Sequence, residues 1–395
     1  MAYSEYVSKT VATQTHKPAP RLGLLDALRI TAALIVVLYH YTAWGHEHWG
    51  TKAAEYWPVL SEFTRYGQLG VPLFFLISGF VILMSLQGKN VIGFIGSRVG
   101  RLYPAYWLAV IAAAVISLRI WPTGNEGRSA SDILPNLTMM QAGFGVTDMD
   151  GVYWTLWVEL RFYILLAVLL AFGLVKNRHI LWLAGIWPAL GLYLHFTNLD
   201  SLQEWIAGEY AALFAAGMVL YLIYQNGHSA LRWAMVAGNT AIAAYFTGIK
   251  GRKDADFLSG LDIPAWHFQL LAVLCVVLLA VCTLTPLKNV QGKWLAVAGS
   301  LTYPLYLIHQ LWGWWLINQL HDVVNKYVLL AGLMVLMLFV AYLVARYVEQ
   351  PFGLPLRNAT INGLTMARSW AKKALAKPEL AIPESKYQQS WHQIR

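Results

Sequence analysis

The sequence predicts an all-α polytopic membrane protein, a bundle of about ten transmembrane helices with both termini in the cytoplasm. Of its 395 residues, 58% are hydrophobic and 12% are charged, whereas about 25% of the residues of an average soluble domain are charged. The 18 Trp and 21 Tyr residues fit the aromatic belts that form at both membrane interfaces. This composition excludes a soluble globular protein.

Ten apolar runs are long enough to cross a bilayer, which takes about 17–25 residues in a helix. They lie at 24–44, 66–86, 102–121, 153–175, 178–196, 204–224, 229–247, 266–287, 293–318 and 326–347. The run at 229–247 is the least hydrophobic. The longest connection, 122–152, is predicted to be irregular because it contains several Gly, Asn and Pro residues.

Basic residues give the bundle its predicted orientation. Most of the 29 Lys and Arg residues fall on segments that are cytoplasmic if the chain begins inside, which is the usual bias of membrane proteins. The outer loop 248–262 is the exception, although Asp residues accompany its basic residues. The same bias accounts for the net charge of +9, so we expect no nucleic-acid partner.

The chain divides into three predicted regions. Residues 1–21 are polar and lack the apolar core of a signal peptide, which predicts a cytoplasmic amino-terminal segment. Residues 22–355 form the predicted membrane domain. Residues 356–395 form a short basic cytoplasmic tail.

The first apolar run contains two residues that are costly to bury. Arg29 and His40 lie 11 residues apart, about three helical turns, so they share one helix face with roughly 16 Å between them. An arginine at mid-bilayer costs ~2.5–3.5 kcal/mol or more. The pair therefore predicts a helix face that lines a protein interior or a wet cavity.

Ionisable residues of the apolar runs fall at two predicted depths. The group toward the cytoplasm consists of Arg29, Arg98 and Arg101. The group in the outer part of the membrane consists of His40, Glu159, Arg161, Glu209 and His309. This layout is expected when an anionic donor enters from the cytoplasm and a polar acceptor arrives from the other side.

Two interpretations stand for the residues near the cytoplasmic mouth of the third run. Arg98 and Arg101 lie one helical turn apart, where they either anchor the topology or capture phosphate through the planar guanidinium fork. Tyr103 either stacks on a nucleotide base or belongs to the aromatic belt. Composition alone does not separate these alternatives.

His40 is predicted to be either a general base or a hydrogen-bonded core histidine, since imidazole titrates near neutral pH and commonly transfers protons. Its position on the face of Arg29 favours the functional interpretation. Glu159 would orient the imidazole, as a third group often does for a catalytic histidine. Alternatively, Glu159 pairs with Arg161 or Arg29 as buried structural support.

Three further residues complete the candidate site. His309 is predicted to be structural rather than catalytic, and it joins Trp154 and Arg161 as a candidate substrate-binding residue. No two His or Cys residues show metal-ligand spacing within one apolar run. We therefore expect no metal.

Several stretches together carry a resemblance to a known family. LLDALRITAALIVVLYH holds an Arg-x10-His pattern at Arg29 and His40, and GVPLFFLISGFVI runs from Gly70. The matching residues of RVGRLYPAYW and YWTLWVELRFY are Arg98, Arg101, Tyr103, Pro104, Trp154, Glu159, Phe162 and Tyr163. With YPLYLIHQ and YVEQP, these stretches resemble the acyltransferase 3 family of integral membrane acyltransferases over roughly residues 22–355.

Two features depart from the family pattern. Members often carry a second Glu and then Gln after the position of Glu159, where this chain has Leu160 and Arg161. Many relatives also carry a carboxy-terminal esterase-like domain, which the segment 356–395 is too short to form. The resemblance is thus to a stand-alone form of the family.

The resemblance implies an O-acetyltransferase, a multi-pass protein of the cell inner (cytoplasmic) membrane. It would move an acyl group, usually acetyl, from cytoplasmic acetyl-CoA to a hydroxyl of a carbohydrate or glycolipid acceptor of the cell envelope. His40 would deprotonate the acceptor, with Glu159 supporting the imidazole, and an acyl-histidine intermediate stays open. The CoA phosphates would be held by Arg29, Arg98 and Arg101, with Tyr103 as a further cofactor-binding candidate. Polysaccharide biosynthesis machinery is an implied partner.

Two other classes of function compete with this one. A transporter would use the stripe of Arg29 and His40 as a proton or anion relay, and a structural protein would serve a polysaccharide export complex. The cytoplasmic arginine cluster discriminates among them, because neither alternative needs contacts to CoA phosphates.

Overall fold

The computed structural model describes residues 22–44, 47–124, 127–259 and 262–375. Within these ranges the chain is helical and contains no strand. The long helices are α1 (Gly23–Thr42), α2 (Gly70–Leu86), α3 (Val91–Val115), α4 (Trp154–Ala171), α5 (Asn177–Phe196), α6 (Gly208–Asn226), α7 (Ala230–Ser259), α8 (Ala265–Leu284), α9 (Lys293–Leu320), α10 (Lys326–Val344) and α11 (Gln350–Leu375). The all-α polytopic fold predicted from composition is confirmed.

Each of the ten apolar runs falls on one of the helices α1 to α10. Among the described residues, eight helical segments are long and apolar enough to cross a membrane, and α7 and α9 are not among them. The second half of α7 carries a cluster of Lys, Arg and Asp residues, whereas α9 carries the buried polar side chains of His309 and Gln310. The count of ten spans and the cytoplasmic termini therefore stay predictions.

Helix α6 forms the centre of the packing. Its residues from Ala211 to Ile223 are all buried, and it lies against α2 on one side and α5 on the other. Two glycines allow the close approach of α2 and α6. A Cβ at Gly79 would collide with the backbone of Phe214, and one at Gly217 would collide with the backbone of Leu76. Small residues commonly allow membrane helices to pack this closely.

Helix α1 holds the predicted stripe of Arg29 and His40, and helix α9 holds His309. They pack along each other, and both begin at the same end of the bundle as α3. We call this end, where Gly23, Val91 and Lys293 lie, the basic end; the charge bias predicts that it faces the cytoplasm. A Cβ at Gly299 of α9 would collide with the carboxyl group of Asp26 of α1, so glycine sets their closest approach.

The long connection 122–152 folds back into the bundle. The Tyr103 hydroxyl and the Trp107 indole of α3 donate hydrogen bonds to the carbonyl groups of Thr138 (2.9 Å) and Leu137 (3.0 Å). Asn136 is fully buried. Because Tyr103 lies near the middle of α3, the connection reaches to mid-bundle and α4 begins there.

The chain continues past α10 without a break in helical structure. A π-helical turn at Ala345–Glu349 joins α10 to α11, and α11 packs along the first half of α3. A Cβ at Gly96 would collide with the side chain of Ile361, and one at Gly100 would collide with Gly353 and Arg357. The predicted tail 356–395 is therefore helical over its described part.

Candidate functional site

Two cavities lined by charged and polar side chains lie among the described helices, apart from a wholly apolar one between α3, α9 and α10. The larger, about 320 Å³, is lined by His40 and is called the histidine cavity here. The smaller, about 120 Å³, is lined by Arg29, Arg98 and Arg101 and is called the arginine cavity. Val71 and Tyr306 line both cavities. The two cavities therefore adjoin, with Val71 and Tyr306 as the wall between them, and Arg29 and His40 of α1 each line one of them.

The arginine cavity gathers the three predicted arginines from two helices at the basic end. The guanidinium of Arg98 lies over the ring of Tyr163, 5.8 Å from its centroid. Its Nε is buried and has no hydrogen-bond acceptor among the described residues. Arg101 is 44% exposed and pairs with Glu349 at 3.5 Å. Three guanidinium groups around a small cavity favour an anionic ligand.

His40 in the histidine cavity contacts a second histidine. The distance from His40 Nδ1 to His309 Nε2 is 3.1 Å. His40 Nδ1 also lies 2.9 Å from the carbonyl oxygen of Val36. His309 Nδ1 faces the carbonyl oxygens of Tyr306 (2.9 Å) and Leu305 (3.2 Å). The sequence predicted a similar depth for the two histidines but not their contact, because they lie on different helices and far apart in the chain.

Further hydrogen bonds tie the two histidines into their helices. The Trp314 indole N–H donates to the carbonyl oxygen of His40 at 2.9 Å. The Tyr41 hydroxyl donates to the carbonyl oxygen of His309 at 2.7 Å. Both bonds run between α1 and α9, so they fix the register of the two helices that carry the imidazoles.

The structure places Glu159 differently from the predicted depth. Glu159 lines the arginine cavity, where it accepts a hydrogen bond from Ser78 Oγ at 2.6 Å. The physical reason is the inward course of the connection 122–152. Helix α4 begins beside Tyr306, whose hydroxyl oxygen lies 2.9 Å from Thr155 Oγ1. The helix runs from there toward Arg98. Glu159 is thus brought to the arginines, and His309 lies beside His40.

The remaining predicted residues are spread over the bundle. Trp154 lines the histidine cavity, and the Lys250 ammonium lies 5.5 Å from its ring centroid. Arg161 donates to the carbonyl oxygen of Glu204, lies 5.0 Å from the Trp157 ring and lines neither cavity. The Tyr103 hydroxyl is bound to Thr138, and Tyr103 lines neither cavity.

Sequence reasoning missed several polar residues of the histidine cavity. They come from five different segments, since Lys250 and Asp254 share α7: Gln68, Arg128, Glu209, Lys250, Asp254 and Gln310. Three of them had a signal: Glu209 through its predicted outer depth, and Lys250 and Asp254 as charged residues of the loop 248–262. No group of three His, Cys, Asp or Glu side chains in the described ranges is arranged to hold a metal ion.

Two carboxyl groups of the connection 122–152 lie outside the membrane-spanning helices and are buried by the fold. Burial raises the pKa of Asp148 and of Asp150 to about 6 each, above the usual 3.8. Asp148 accepts a hydrogen bond from the Gln141 amide at 2.5 Å. Between pH 4 and 6 the folded chain therefore binds more protons at these groups than the unfolded chain does. This proton binding stabilises the folded protein at low pH, and the stabilisation is lost as the pH rises through about 6.

Replacing Asp148 by Asn is expected to stabilise the protein at pH 7.5 by on the order of 1 kcal/mol, because the amide keeps the bond from Gln141 without a buried charge. The variant should also lose less stability than wild type between pH 5 and pH 7.5. Thermal unfolding of the purified protein in detergent, followed by Trp fluorescence, measures both effects. The exposed Asp256→Asn is the control, and an Asp148→Asn protein with wild-type pH dependence would contradict the expectation.

Comparisons with known proteins identify a matching family and several relatives. The profile of the acyltransferase domain family, Acyl_transf_3, matches residues 23–346. Nodulation protein 10 of Rhizobium leguminosarum bv. viciae is 27% identical over 319 residues, which cover 72% of this chain and 81% of that protein. Acyltransferase MdmB of Streptomyces mycarofaciens is 29% identical over 153 residues, which cover 36% of this chain and 38% of that protein. No solved structure gives a significant match.

Proposed function

The chain belongs to the acyltransferase 3 family and is a membrane acyltransferase, and from this premise we propose that it transfers an acyl group, acetyl in the simplest case, from acyl-CoA to a carbohydrate hydroxyl. The acceptor is a glycan or glycolipid of the cell envelope, and the protein acts in the inner (cytoplasmic) membrane. The observation that carries the proposal is the pair of adjoining cavities, one lined by arginines and the other by His40.

The donor binds at the arginine cavity. Arg29, Arg98 and Arg101 hold the phosphates of CoA, because guanidinium groups bind phosphate oxygens bidentately. The acyl-pantetheine arm extends along α1 over the roughly 16 Å of helix rise between Arg29 and His40. Tyr103 would contact the nucleotide of CoA only after the hydrogen bond from its hydroxyl to the Thr138 carbonyl oxygen breaks. Glu159 lines this cavity, so we assign it to the arginines rather than to His40.

The acceptor binds at the histidine cavity. Trp44, Trp154 and Trp314 line it and offer flat apolar faces for sugar rings, while the polar side chains around them donate and accept hydrogen bonds to hydroxyl groups. Arg161 lines neither cavity, so it is left out of this acceptor site.

The transfer uses His40 as general base. His40 takes the proton of the acceptor hydroxyl while the oxygen attacks the thioester carbonyl carbon. The new C–O bond forms, the C–S bond breaks, and the CoA thiolate leaves and takes the proton back from the imidazolium. An acyl group carried transiently on His40 would give the same products in two steps.

A transporter is the second candidate, because two polar cavities in line could pass a solute or a proton. Purified protein given acetyl-CoA and a candidate glycan separates the two functions. We expect acceptor-dependent release of the CoA thiol and a glycan heavier by one acetyl group in mass spectrometry. Solute movement without thiol release would favour the transporter. Envelope glycans from cells with and without the protein would identify the acceptor.

Removing both Arg98 and Arg101 is expected to weaken CoA binding at least about 100-fold, because a hydrogen bond to a charged group contributes about 1.5–3 kcal/mol. Arg98→Ala alone should cost more than Arg101→Ala alone, since Arg101 is half exposed and already pairs with Glu349. Calorimetry with CoA measures the affinity. Arg119→Ala, at the other end of the same helical stretch, is the control; wild-type affinity in the double variant would make the pair a topological anchor.

A further inference from the structure

His309 is a fully buried imidazole whose two ring nitrogens both have partners. We propose that His309 is a positioning residue: it accepts a hydrogen bond from His40 Nδ1 and so holds His40 in the tautomer whose Nε2 carries the lone pair. The proposal rests on the proposed function, because it gives His309 a role through the general base. It assigns to a neutral histidine the part that a carboxylate plays in many catalytic triads.

Three carbonyl oxygens determine where the protons lie. A carbonyl oxygen only accepts hydrogen bonds. Since His309 Nδ1 lies 2.9 Å from the carbonyl oxygen of Tyr306, this nitrogen carries the proton, and the lone pair of the neutral ring is on Nε2. His40 Nδ1 lies 2.9 Å from the carbonyl oxygen of Val36, so it carries a proton as well. That proton is shared between Val36 and His309 Nε2.

The opposite arrangement creates two repulsions at once. If His309 Nε2 donated to His40 Nδ1, the lone pair of His40 Nδ1 would face the carbonyl oxygen of Val36. The lone pair of His309 Nδ1 would face the carbonyl oxygens of Tyr306 and Leu305. A doubly protonated His309 would set an N–H group against the N–H group of His40. Only the arrangement with both Nδ1 atoms protonated satisfies all four of these contacts.

The consequence concerns the nitrogen that does the chemistry. With Nδ1 protonated, His40 Nε2 is the only basic nitrogen of the ring, as a general base requires. Without the acceptor on His309, only the carbonyl oxygen of Val36 holds the Nδ1 proton, so the other tautomer of His40 becomes more populated. In that tautomer Nε2 carries a proton and takes none from the acceptor hydroxyl. A packing role for His309 predicts no such change.

The test compares two variants of His309 with a matched control on the same helix. His309→Leu removes the acceptor, whereas His309→Gln places an amide oxygen near the position of Nε2. His321→Leu is the control, because His321 lies at the far end of α9 and bonds to Asp322 and to its own helix. Steady-state kinetics with acetyl-CoA and a glycan acceptor, together with ¹⁵N spectra of histidine-labelled protein, are measured on the full chain in detergent.

We expect His309→Leu to lower kcat by about 10–10²-fold with little change in either KM. This loss is larger than the loss of one ordinary hydrogen bond would cause, and smaller than the about 10⁴-fold loss in kcat of an enzyme whose catalytic histidine is in the wrong tautomer. His309→Gln should recover most of kcat, and His321→Leu should match wild type. The ¹⁵N spectrum should show His40 protonated at Nδ1 in wild type and in the Gln variant.

Several results would overturn the proposal. One is a wild-type His40 protonated at Nε2, which the spectrum reports whether or not His309→Leu folds. Another is a Gln variant as impaired as the Leu variant, and a third is a loss confined to KM. Failure of the proposed function looks different: wild type would release no thiol, yet the spectrum would still show the Nδ1 tautomer of His40.

Discussion

Replacing His40 by alanine is expected to lower the rate of acyl transfer by about 10²–10⁴-fold, the usual loss when a general base is removed. The expectation follows from its place in the histidine cavity and from its bond to His309. Membrane insertion should be unaffected, because the bond from Trp314 reaches the backbone carbonyl of His40 and survives any substitution of the side chain. Acceptor-dependent thiol release and the mass of the product measure the rate.

A second substitution of His40 separates loss of catalysis from loss of folding. His40→Ala leaves His309 Nε2 without its buried donor, at a cost of about 1–3 kcal/mol. His40→Asn keeps an N–H group near the position of Nδ1 but has no basic nitrogen, so it should be as stable as wild type and as inactive as the alanine variant. His321→Asn should keep full activity. Near-normal transfer by a well-folded His40→Asn protein would make His40 a packing residue.

The stripe of α1 could be predicted from the sequence because helix geometry is local. A rise of 1.5 Å per residue fixes the separation of Arg29 and His40 whatever surrounds the helix, and the cost of burying an arginine in lipid predicts that the helix face lines a cavity. The structure accordingly places one residue in each of two adjoining cavities. The grouping of Arg98 and Arg101 with Arg29 follows from the same rule applied to α3.

The position of Glu159 could not be predicted this way. Hydropathy locates the ends of an apolar run along the chain, but not the depth at which the preceding connection ends. Here the polar groups of the connection 122–152 are satisfied inside the bundle, where Asn136 bonds to Asp132 and Thr147. Helix α4 therefore starts at mid-bundle, and its carboxylate reaches the arginines instead of His40.

The pairing of His40 with His309 could not be predicted from the sequence for a different reason. It depends on the register of α1 against α9, which is set by tertiary contacts such as Gly299 against Asp26 and Gly313 against Tyr41. The period of the hydrophobic residues and the helix propensities describe one helix at a time and say nothing of how two helices align. The helix α11 is an intermediate case, because Pro351 and Pro355 near its start suggest an end to α10, whereas tertiary packing against α3 carries the helix on.

Donor and acceptor are expected to act from opposite membrane faces. The arginine cavity lies toward the basic end, and the histidine cavity lies farther along α1 beyond Val71 and Tyr306. CoA carries several negative charges, and moving them through hydrocarbon would cost far more than extending a neutral pantetheine arm over roughly 16 Å. We therefore expect the nucleotide to stay at the basic end while only the acyl group passes the wall between the cavities.

Proteoliposomes make this expectation measurable as an all-or-none effect. A soluble glycan acceptor is sealed inside vesicles, and acetyl-CoA is added outside. The acetyl-CoA reaches only the protein molecules whose basic end faces outward. The number of these molecules is measured by protease accessibility of the carboxy-terminal segment. Acetylation of the sealed glycan should match that number, and His40→Asn vesicles should give none. Detergent added to open the vesicles should recruit the oppositely oriented molecules and raise the rate accordingly. If the glycan is acetylated only when it shares a compartment with acetyl-CoA, both substrates use one face, and the histidine cavity must then fill from the basic end through movement of Val71 and Tyr306.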